Sequence, residues 1–141
     1  MRILGIDYGD VRVGLALSDP TGTLAGGIGT LKITGMNNAV EQVAALVREK
    51  DIQTVVIGLP LNMNGSAGAS AEKIRVFGEK LANTCPELSI AYLDERRTSI
   101  LAADFMNETG TFGKKRKAAV DTLSAQIILQ TYLDRCKNNS Q

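Results

Sequence analysis

The first part of the chain groups its apolar residues in three short stretches that are typical of β-strands. The stretches cover residues 2–8, 12–18 and about 23–33, and turn-forming glycine, aspartate and proline residues separate them. Strands that follow one another with such short connections pair as an antiparallel meander. The sequence therefore predicts three antiparallel strands at the start of the fold.

The rest of the chain alternates between helical and strand patterns. Apolar residues recur at helical spacing over residues 38–50, and a continuous apolar run at 54–60 follows, which is typical of a buried parallel strand. Further along, the pattern predicts a helix at about 70–83, a strand at 88–93, a short helix at 99–106 and a long helix at about 117–135. The predicted fold class is α/β, with a five-stranded mixed sheet (three antiparallel strands, then two parallel ones) flanked by helices.

The length of 141 residues fits a single domain, which we expect over residues 1–137 with a polar tail at 138–141. No run of about 18 apolar residues predicts a membrane span, and the first residues lack the length and order of a signal peptide. The two cysteines, Cys85 and Cys136, form no C-x-x-C motif and predict neither a disulfide framework nor a thiolate zinc site. We therefore expect a cytoplasmic protein that has no membrane partner.

Histidine is absent from the chain. This excludes Ser-His-Asp and Cys-His catalysis, zinc sites with histidine ligands, and histidine as a pH switch. Any chemistry must use carboxylates, lysine, hydroxyl groups or a metal ion held by oxygen atoms.

The net charge of +1 conceals a basic segment. Residues 96–117 carry two acidic side chains against six basic ones, namely Arg96, Arg97, Lys114, Lys115, Arg116 and Lys117. Such a segment is either a solvated loop or a surface that binds phosphate groups. Charge alone leaves both interpretations open.

Asp7 lies in an apolar strand and shares one face of it with Ile3 and Gly5. An unpaired buried carboxylate is strongly disfavoured, so a cation or hydrogen-bond donors are expected to meet it. One interpretation is a turn-forming aspartate at the end of the strand. The other is a ligand-binding acid, because Gly5 and Gly9 on either side allow a close approach.

Asp94 and Glu95 end the last predicted strand and point to opposite faces, so only one of them can face the same way as Asp7. A surface cluster with Arg96 and Arg97 is one interpretation. The other is a ligand site, because ligands of α/β proteins bind at the carboxyl ends of parallel strands.

Asp121 shares a helix face with Ala125, Ile128 and Tyr132, which predicts that it points toward the core. An aspartate near the start of a helix can also simply complement the helix dipole. That second interpretation leaves the four cations at 114–117 unexplained, because the dipole disfavours them at a helix N-terminus. Cations in this position are easier to understand if they meet phosphate.

Three carboxylates from two strand ends and one helix suit a hard divalent cation. Mg²⁺ and Mn²⁺ prefer oxygen ligands, and two such ions about 4 Å apart can stabilise the attacking and leaving oxygens of phosphodiester hydrolysis. The acids thus predict a metal site rather than imidazole chemistry.

Four blocks of residues, in order along the chain, carry a resemblance to a known family. They are Gly5–Gly9 with Arg12 and Gly14; Val56–Pro60 with Gly65; Asp94–Arg96 with Thr98; and Lys117–Asp121 with Ala125, Ile128, Leu129, Gln130, Tyr132 and Leu133. With these blocks the chain resembles, over essentially its whole length, the YqgF or RuvX-like family of the ribonuclease-H-like superfamily. Ser124 departs from the pattern, because the family often has alanine there.

The resemblance implies a ribonuclease-H-like fold in which Asp7, Glu95 and Asp121 are the catalytic acids and hold Mg²⁺ or Mn²⁺. Matching the same blocks makes Arg12, Arg96 and Lys117 candidate substrate contacts. Together with the basic segment, the expected substrate-binding residues are Arg12, Arg96, Lys114, Lys115, Arg116 and Lys117. For Arg12, contact with phosphate, pairing with Asp7 and a plain surface position all stay open.

The function that the resemblance implies is metal-dependent endonucleolytic hydrolysis of structured nucleic acid. The expected substrate is the 5′ end of pre-16S rRNA, in ribosome biogenesis, or a Holliday junction, or both, and the sequence does not choose between RNA and DNA. We expect a monomer or a homodimer. Two other classes stay open: a non-catalytic RNA-binding transcription or ribosome-assembly factor, and an ATP-binding phosphotransferase, for which a single domain is too small.

Overall fold

The computed structural model describes residues 2–60, 68–94 and 113–139, and within the last range it describes the side chains of residues 120–137. These parts contain five strands and three helices. In chain order they are β1 (Ile3–Tyr8), β2 (Arg12–Ser18), β3 (Ala25–Lys32), α1 (Met36–Glu49), β4 (Thr54–Leu59), α2 (Ala69–Thr84), β5 (Ser89–Asp94) and α3 (Gly113–Asn139). The predicted short helix at 99–106 lies outside the described residues.

The strands form one mixed sheet in the order β3-β2-β1-β4-β5. The pairs β1–β2 and β2–β3 are antiparallel, whereas β1–β4 and β4–β5 are parallel. This confirms the predicted sheet. Because β1, β4 and β5 are parallel, their carboxyl ends at Tyr8, Leu59 and Asp94 meet at one edge of the sheet, which we call the carboxyl edge.

Each face of the sheet is covered by its own hydrophobic cluster. On one face, α1 and α2 pack on a cluster that includes Leu4 and Ile6 of β1. On the other face, α3 packs on a cluster that includes Ile3 of β1 and Val56 of β4. Alternate residues of β1 thus point to opposite faces, as the period of a strand requires.

Glycines let α3 lie directly on the strands. A Cβ atom at Gly5 would lie 2.7 Å from Cβ of Leu129 and 2.9 Å from the carbonyl oxygen of Ala125. A Cβ atom at Gly14 would overlap the carbonyl oxygen of Asp121. The strand glycines therefore set how closely α3 approaches β1 and β2, and they place Asp121 over β2.

The helix α3 begins four residues before its predicted start, at Gly113 rather than Lys117. The added segment is basic and contains no apolar side chains whose spacing could predict a helix. Lysine and arginine nevertheless have high helix propensity, so the helix continues through them. The long basic stretch at 114–117 is therefore helical in its backbone.

The described ranges contain three helices, of 14, 16 and 27 residues. None of the helices there combines the length and the apolar composition that a bilayer crossing needs.

Candidate functional site

Asp7 and Asp121, although far apart in sequence, come together at the carboxyl edge. Asp7 is the register partner of Gly14 on β2, and the backbone of Asp121 lies against the same glycine. Asp7 follows Ile3 and Gly5 on the face that α3 covers. The expectation that Asp121 faces the core side agrees with this packing, because Ala125 and Ile128 on the same helix face are fully buried.

The electrostatics of Asp7 reflect this placement. Burial, and then the negative charge of Asp121, raise the pKa of Asp7 from its ordinary value of 3.8 to about 6. Burial disfavours the charged carboxylate, and a like charge nearby disfavours it further. An acid pair with these properties is stabilised by a bound cation.

Arg12, the first residue of β2, pairs with Asp121. Its Nε donates a hydrogen bond to Oδ2 of Asp121 at 3.3 Å, and the two side chains are 20% and 31% exposed. One of the open expectations was a pair between Arg12 and Asp7, and among the described residues this pair does not form. The physical reason is the register: Asp7 lies opposite Gly14, two residues further along β2, whereas Asp121 lies above the strand.

The other residues expected in the site are described only in part or not at all. Glu95 and Arg96 lie outside the described residues, although β5 brings the chain to Asp94 at the carboxyl edge. The backbone of residues 114–117 belongs to the first turns of α3, and the side chains there lie outside the described ones. Within the described parts, no group of three metal-ligating side chains occurs. The roles of these residues stay predictions.

The direction of α3 nevertheless fixes where its basic start lies. Asp121 is next to Gly14, and the later residues Ala125 and Leu129 are next to Gly5, which is deeper in the sheet. The helix therefore runs away from the carboxyl edge. The backbone of residues 114–117 lies on the edge side of Asp121.

Ser124 is buried one turn after Asp121. It is 1% exposed, and its hydroxyl oxygen has no hydrogen-bond partner among the described residues. A buried hydroxyl without a partner is costly compared with an apolar side chain. The position therefore suits alanine, which agrees with the family pattern from which Ser124 departs.

The structure also shows a cation that the sequence did not single out. Nζ of Lys73, on α2, donates a hydrogen bond to Oδ1 of Asp10, in the turn between β1 and β2, at 2.7 Å. The two residues are 63 positions apart, and neither periodicity nor composition connects them. Only the parallel pairing of β1 with β4, which brings α2 beside the turn, reveals the contact.

The donors at this site fit a hard divalent cation. Asp7 and Asp121 offer carboxylate oxygens, and Asp7 is partly desolvated beside a like charge. Mg²⁺ and Mn²⁺ bind such oxygen ligands without histidine. The chemistry that such an arrangement allows is the hydrolysis of phosphate esters.

Comparison with solved structures identifies the fold. The Thermus thermophilus RuvC structure in complex with Holliday junction substrate matches with a TM-score of 0.59 and 13% identity, and the match covers 96% of each chain. The fowlpox virus Holliday junction resolvase matches with a TM-score of 0.59 and 14% identity over 96% of this chain and 99% of that chain. These similarities confirm the expected ribonuclease-H-like fold.

Similarity in sequence is closer and extends along the whole chain. A protein of Ruminiclostridium cellulolyticum named "Putative pre-16S rRNA nuclease" is 42% identical over 142 residues, which cover 100% of this chain and 99% of that protein. A protein of the same name from Caldanaerobacter subterraneus subsp. tengcongensis is 41% identical over 140 residues, with coverage of 99% and 100%. The family model RuvX, described as Holliday junction resolvase, matches residues 1–135. The chain therefore belongs to the RuvX family.

Proposed function

We propose that this protein is a metal-dependent endonuclease that hydrolyses phosphodiester bonds in structured nucleic acid. The observation that carries the proposal is the pair of Asp7 and Asp121 at the carboxyl edge, where burial and the charge of Asp121 raise the pKa of Asp7 to about 6. Acids with strongly perturbed pKa values mark functional sites when they lie together where ligands bind. The RuvX family membership supports the same reaction class.

The acids Asp7, Glu95 and Asp121 would hold Mg²⁺ or Mn²⁺. A cation bound there supplies activation of the attacking water and neutralisation of the charge that develops on the phosphate. Asp7 must be ionised to act as a metal ligand. In the metal-free protein its carboxyl group is mostly ionised only above a pH of about 6. Arg12 holds the carboxylate of Asp121 in place through its Nε.

The phosphate backbone of the substrate would be bound by basic side chains around the acids. The proposed set is Arg12, Arg96, Lys114, Lys115, Arg116 and Lys117. The support is the course of α3, whose first turns lie on the edge side of Asp121. Lysine and arginine that contact phosphate release counterions, so we expect the affinity to fall steeply with salt.

We propose the 5′ end of pre-16S rRNA as the physiological substrate, in the cytoplasm and as a step of ribosome biogenesis. The support is the name shared by relatives that are 41–42% identical along the whole chain. Branched DNA is the second candidate, supported by the description of the family as Holliday junction resolvase.

The test is a cleavage assay with two substrates, a pre-16S rRNA 5′-end fragment and a four-way DNA junction, each with Mg²⁺ or Mn²⁺. Asp121→Asn is compared with wild type, and Asp134→Asn, at an exposed position of the same helix, is the matched control. We expect cleavage by wild type and by the control and none by Asp121→Asn. If wild type binds both substrates and cleaves neither, the protein is a non-catalytic binding factor instead.

A further inference from the structure

A small cavity lies at the carboxyl edge, on the side of the sheet opposite α3. Its volume is about 160 Å³. Its lining comes from the end of β1 and the turn after it, from the residue after β4 and from the start of α2, and it includes Tyr8, Gly9, Asp10, Pro60, Ser70 and Lys73. Since Tyr8 directly follows Asp7, the cavity and the acid pair share one strand end and lie on opposite faces of it.

One wall of the cavity is packed on the hydrophobic core. The ring of Tyr8 packs against Phe77 of α2 with the ring centroids 4.6 Å apart. Phe77 is fully buried and belongs to the cluster beneath α1 and α2. A group that enters the cavity therefore contacts an aromatic ring that is packed on the core.

The rim of the cavity carries a charge pair that can exchange its partners. Lys73 and Asp10 are in contact at 2.7 Å, yet their side chains are 49% and 74% exposed. Exposed ion pairs contribute little to stability, because water solvates both charges almost as well. The ammonium group of Lys73 is thus available to a competing anion at little cost.

Cations lie on both sides of the acid pair along the carboxyl edge. Arg12 and Lys32 are register partners on β2 and β3, and Lys73 stands at the other side, on α2. A nucleic acid strand that passes over Asp7 and Asp121 would meet cations before and after the acids. A polyanion is the ligand whose repeated charges can contact several such cations at once.

We propose that Lys73 is a phosphate-binding residue, and that it exchanges Asp10 for a backbone phosphate of a strand that crosses the carboxyl edge from α3 to α2. In the free protein the carboxylate of Asp10 is paired with the ammonium group of Lys73. Asp10 therefore competes with the substrate phosphate and weakens nucleic acid binding. The inference rests on the proposed function and names a part of the same binding surface. It assigns Asp10 a role opposite to that of the other acids, because Asp10 opposes nucleic acid binding.

The test is a double-mutant cycle on equilibrium binding. The variants are Lys73→Gln, Asp10→Asn and the double variant, and the probes are the pre-16S rRNA 5′-end fragment and the four-way junction, without divalent cations so that no cleavage occurs. The affinity is measured over a range of NaCl concentrations. Lys80→Gln is the matched control, because Lys80 lies two turns further along α2 and its Nζ contacts Oδ1 of Asn37 at 3.1 Å.

Lys73→Gln is expected to weaken binding and to reduce the slope of log affinity against log salt by about 1, the value for one lost phosphate contact. Asp10→Asn is expected to tighten binding in the wild-type background and to lose most of that effect when Lys73 is already glutamine. Lys73→Arg is expected to keep the salt slope, and Lys80→Gln to leave it unchanged.

Two results would overturn the inference. One is that Lys73→Gln keeps the wild-type slope of log affinity against log salt. The other is that Asp10→Asn tightens binding equally with Lys73 and with glutamine at position 73, which would mean a general charge effect. Either result leaves the proposed nuclease function standing, because wild type still binds and cleaves. If wild type binds neither probe, the proposed function fails, and this inference fails with it.

Discussion

Arg12 and Asp121 are separated by 109 positions in the sequence, and in the folded protein Nε of Arg12 donates a hydrogen bond to Oδ2 of Asp121 at 3.3 Å. The contact joins the first residue of β2 to α3, directly beside Asp7. It means that one cation already orients one of the two acids before any metal or substrate binds. Arg12 therefore contacts one of the two acids directly, in addition to its proposed role as a phosphate contact.

Arg12→Gln is expected to impair cleavage far more than stability. The pair is partly exposed, so its loss costs about 1 kcal/mol or less in the free energy of unfolding. Loss of the contact removes one restraint on the carboxylate of Asp121. We therefore expect cleavage to slow by about tenfold or more and half-maximal activity to need more Mn²⁺. Urea unfolding and a metal titration of the cleavage rate measure the two effects. An unchanged metal dependence would show that Arg12 does not position Asp121.

Asp121→Asn is expected to lower the pKa of Asp7 in the metal-free protein. The substitution removes the negative charge that adds to the effect of burial. Burial, the larger cause, remains, so the pKa of Asp7 stays above 3.8. A carboxyl-carbon NMR titration measures this shift, and Asp134→Asn provides the control with no shift. If the pKa of Asp7 does not move, the two acids do not interact.

Asp7→Asn is expected to stabilise the metal-free protein at neutral pH. The pKa of Asp7 is raised from 3.8 to about 6 on folding, so between these values the native state binds more protons than the unfolded state. Stability therefore falls as the pH rises through this window, and above it the ionised carboxylate costs at most about 3 kcal/mol.

Urea unfolding of wild type and Asp7→Asn at several pH values, with a chelator present, measures this cost. The difference between the two proteins is expected to appear between pH 4 and pH 6 and to stay constant above that range. A variant that is less stable than wild type at pH 7 would contradict the raised pKa.

Gly14→Ala is expected to destabilise the protein and to displace the start of α3. The new Cβ atom would overlap the carbonyl oxygen of Asp121, and overpacking of this kind costs about 1–3 kcal/mol. Gly26→Ala on the neighbouring strand is the matched control, because its Cβ atom would lie 4.0 Å from the nearest atom, the carbonyl oxygen of Leu17. Urea unfolding and cleavage are measured for both variants, and equal stability of the two would contradict the close packing of α3 on β2.

Much of the fold could be predicted from the sequence because its signals are local. Alternation along β1 predicted that Ile3, Gly5 and Asp7 share a face, and the packing of Ile3 beneath α3 agrees with this. Turn residues predicted the antiparallel strands, and the continuous apolar run at 54–60 predicted the parallel strand β4. The helix face on which Asp121 lies was likewise predicted from the spacing of residues within one helix.

The contacts of the site could not be predicted, because they depend on the register between strands and on how closely α3 approaches them. No local pattern shows that Arg12 meets Asp121 rather than Asp7, since that follows from the position of Asp7 opposite Gly14. The pair of Lys73 and Asp10 likewise depends on the β1–β4 pairing. The start of α3 could not be predicted from apolar spacing either, because residues 114–117 near its start are all basic.

The proposed nuclease activity depends on a metal ion that Asp7 would hold, and the most direct measurement compares wild type with Asp7→Asn in one cleavage assay. The substrates are the pre-16S rRNA 5′-end fragment and the four-way junction, with Mn²⁺ or Mg²⁺ titrated from zero, and binding is measured on the same samples. We expect metal-dependent cleavage by wild type, and no cleavage by Asp7→Asn at any metal concentration although it remains folded and bound to nucleic acid. Cleavage by Asp7→Asn at the wild-type rate would contradict the account.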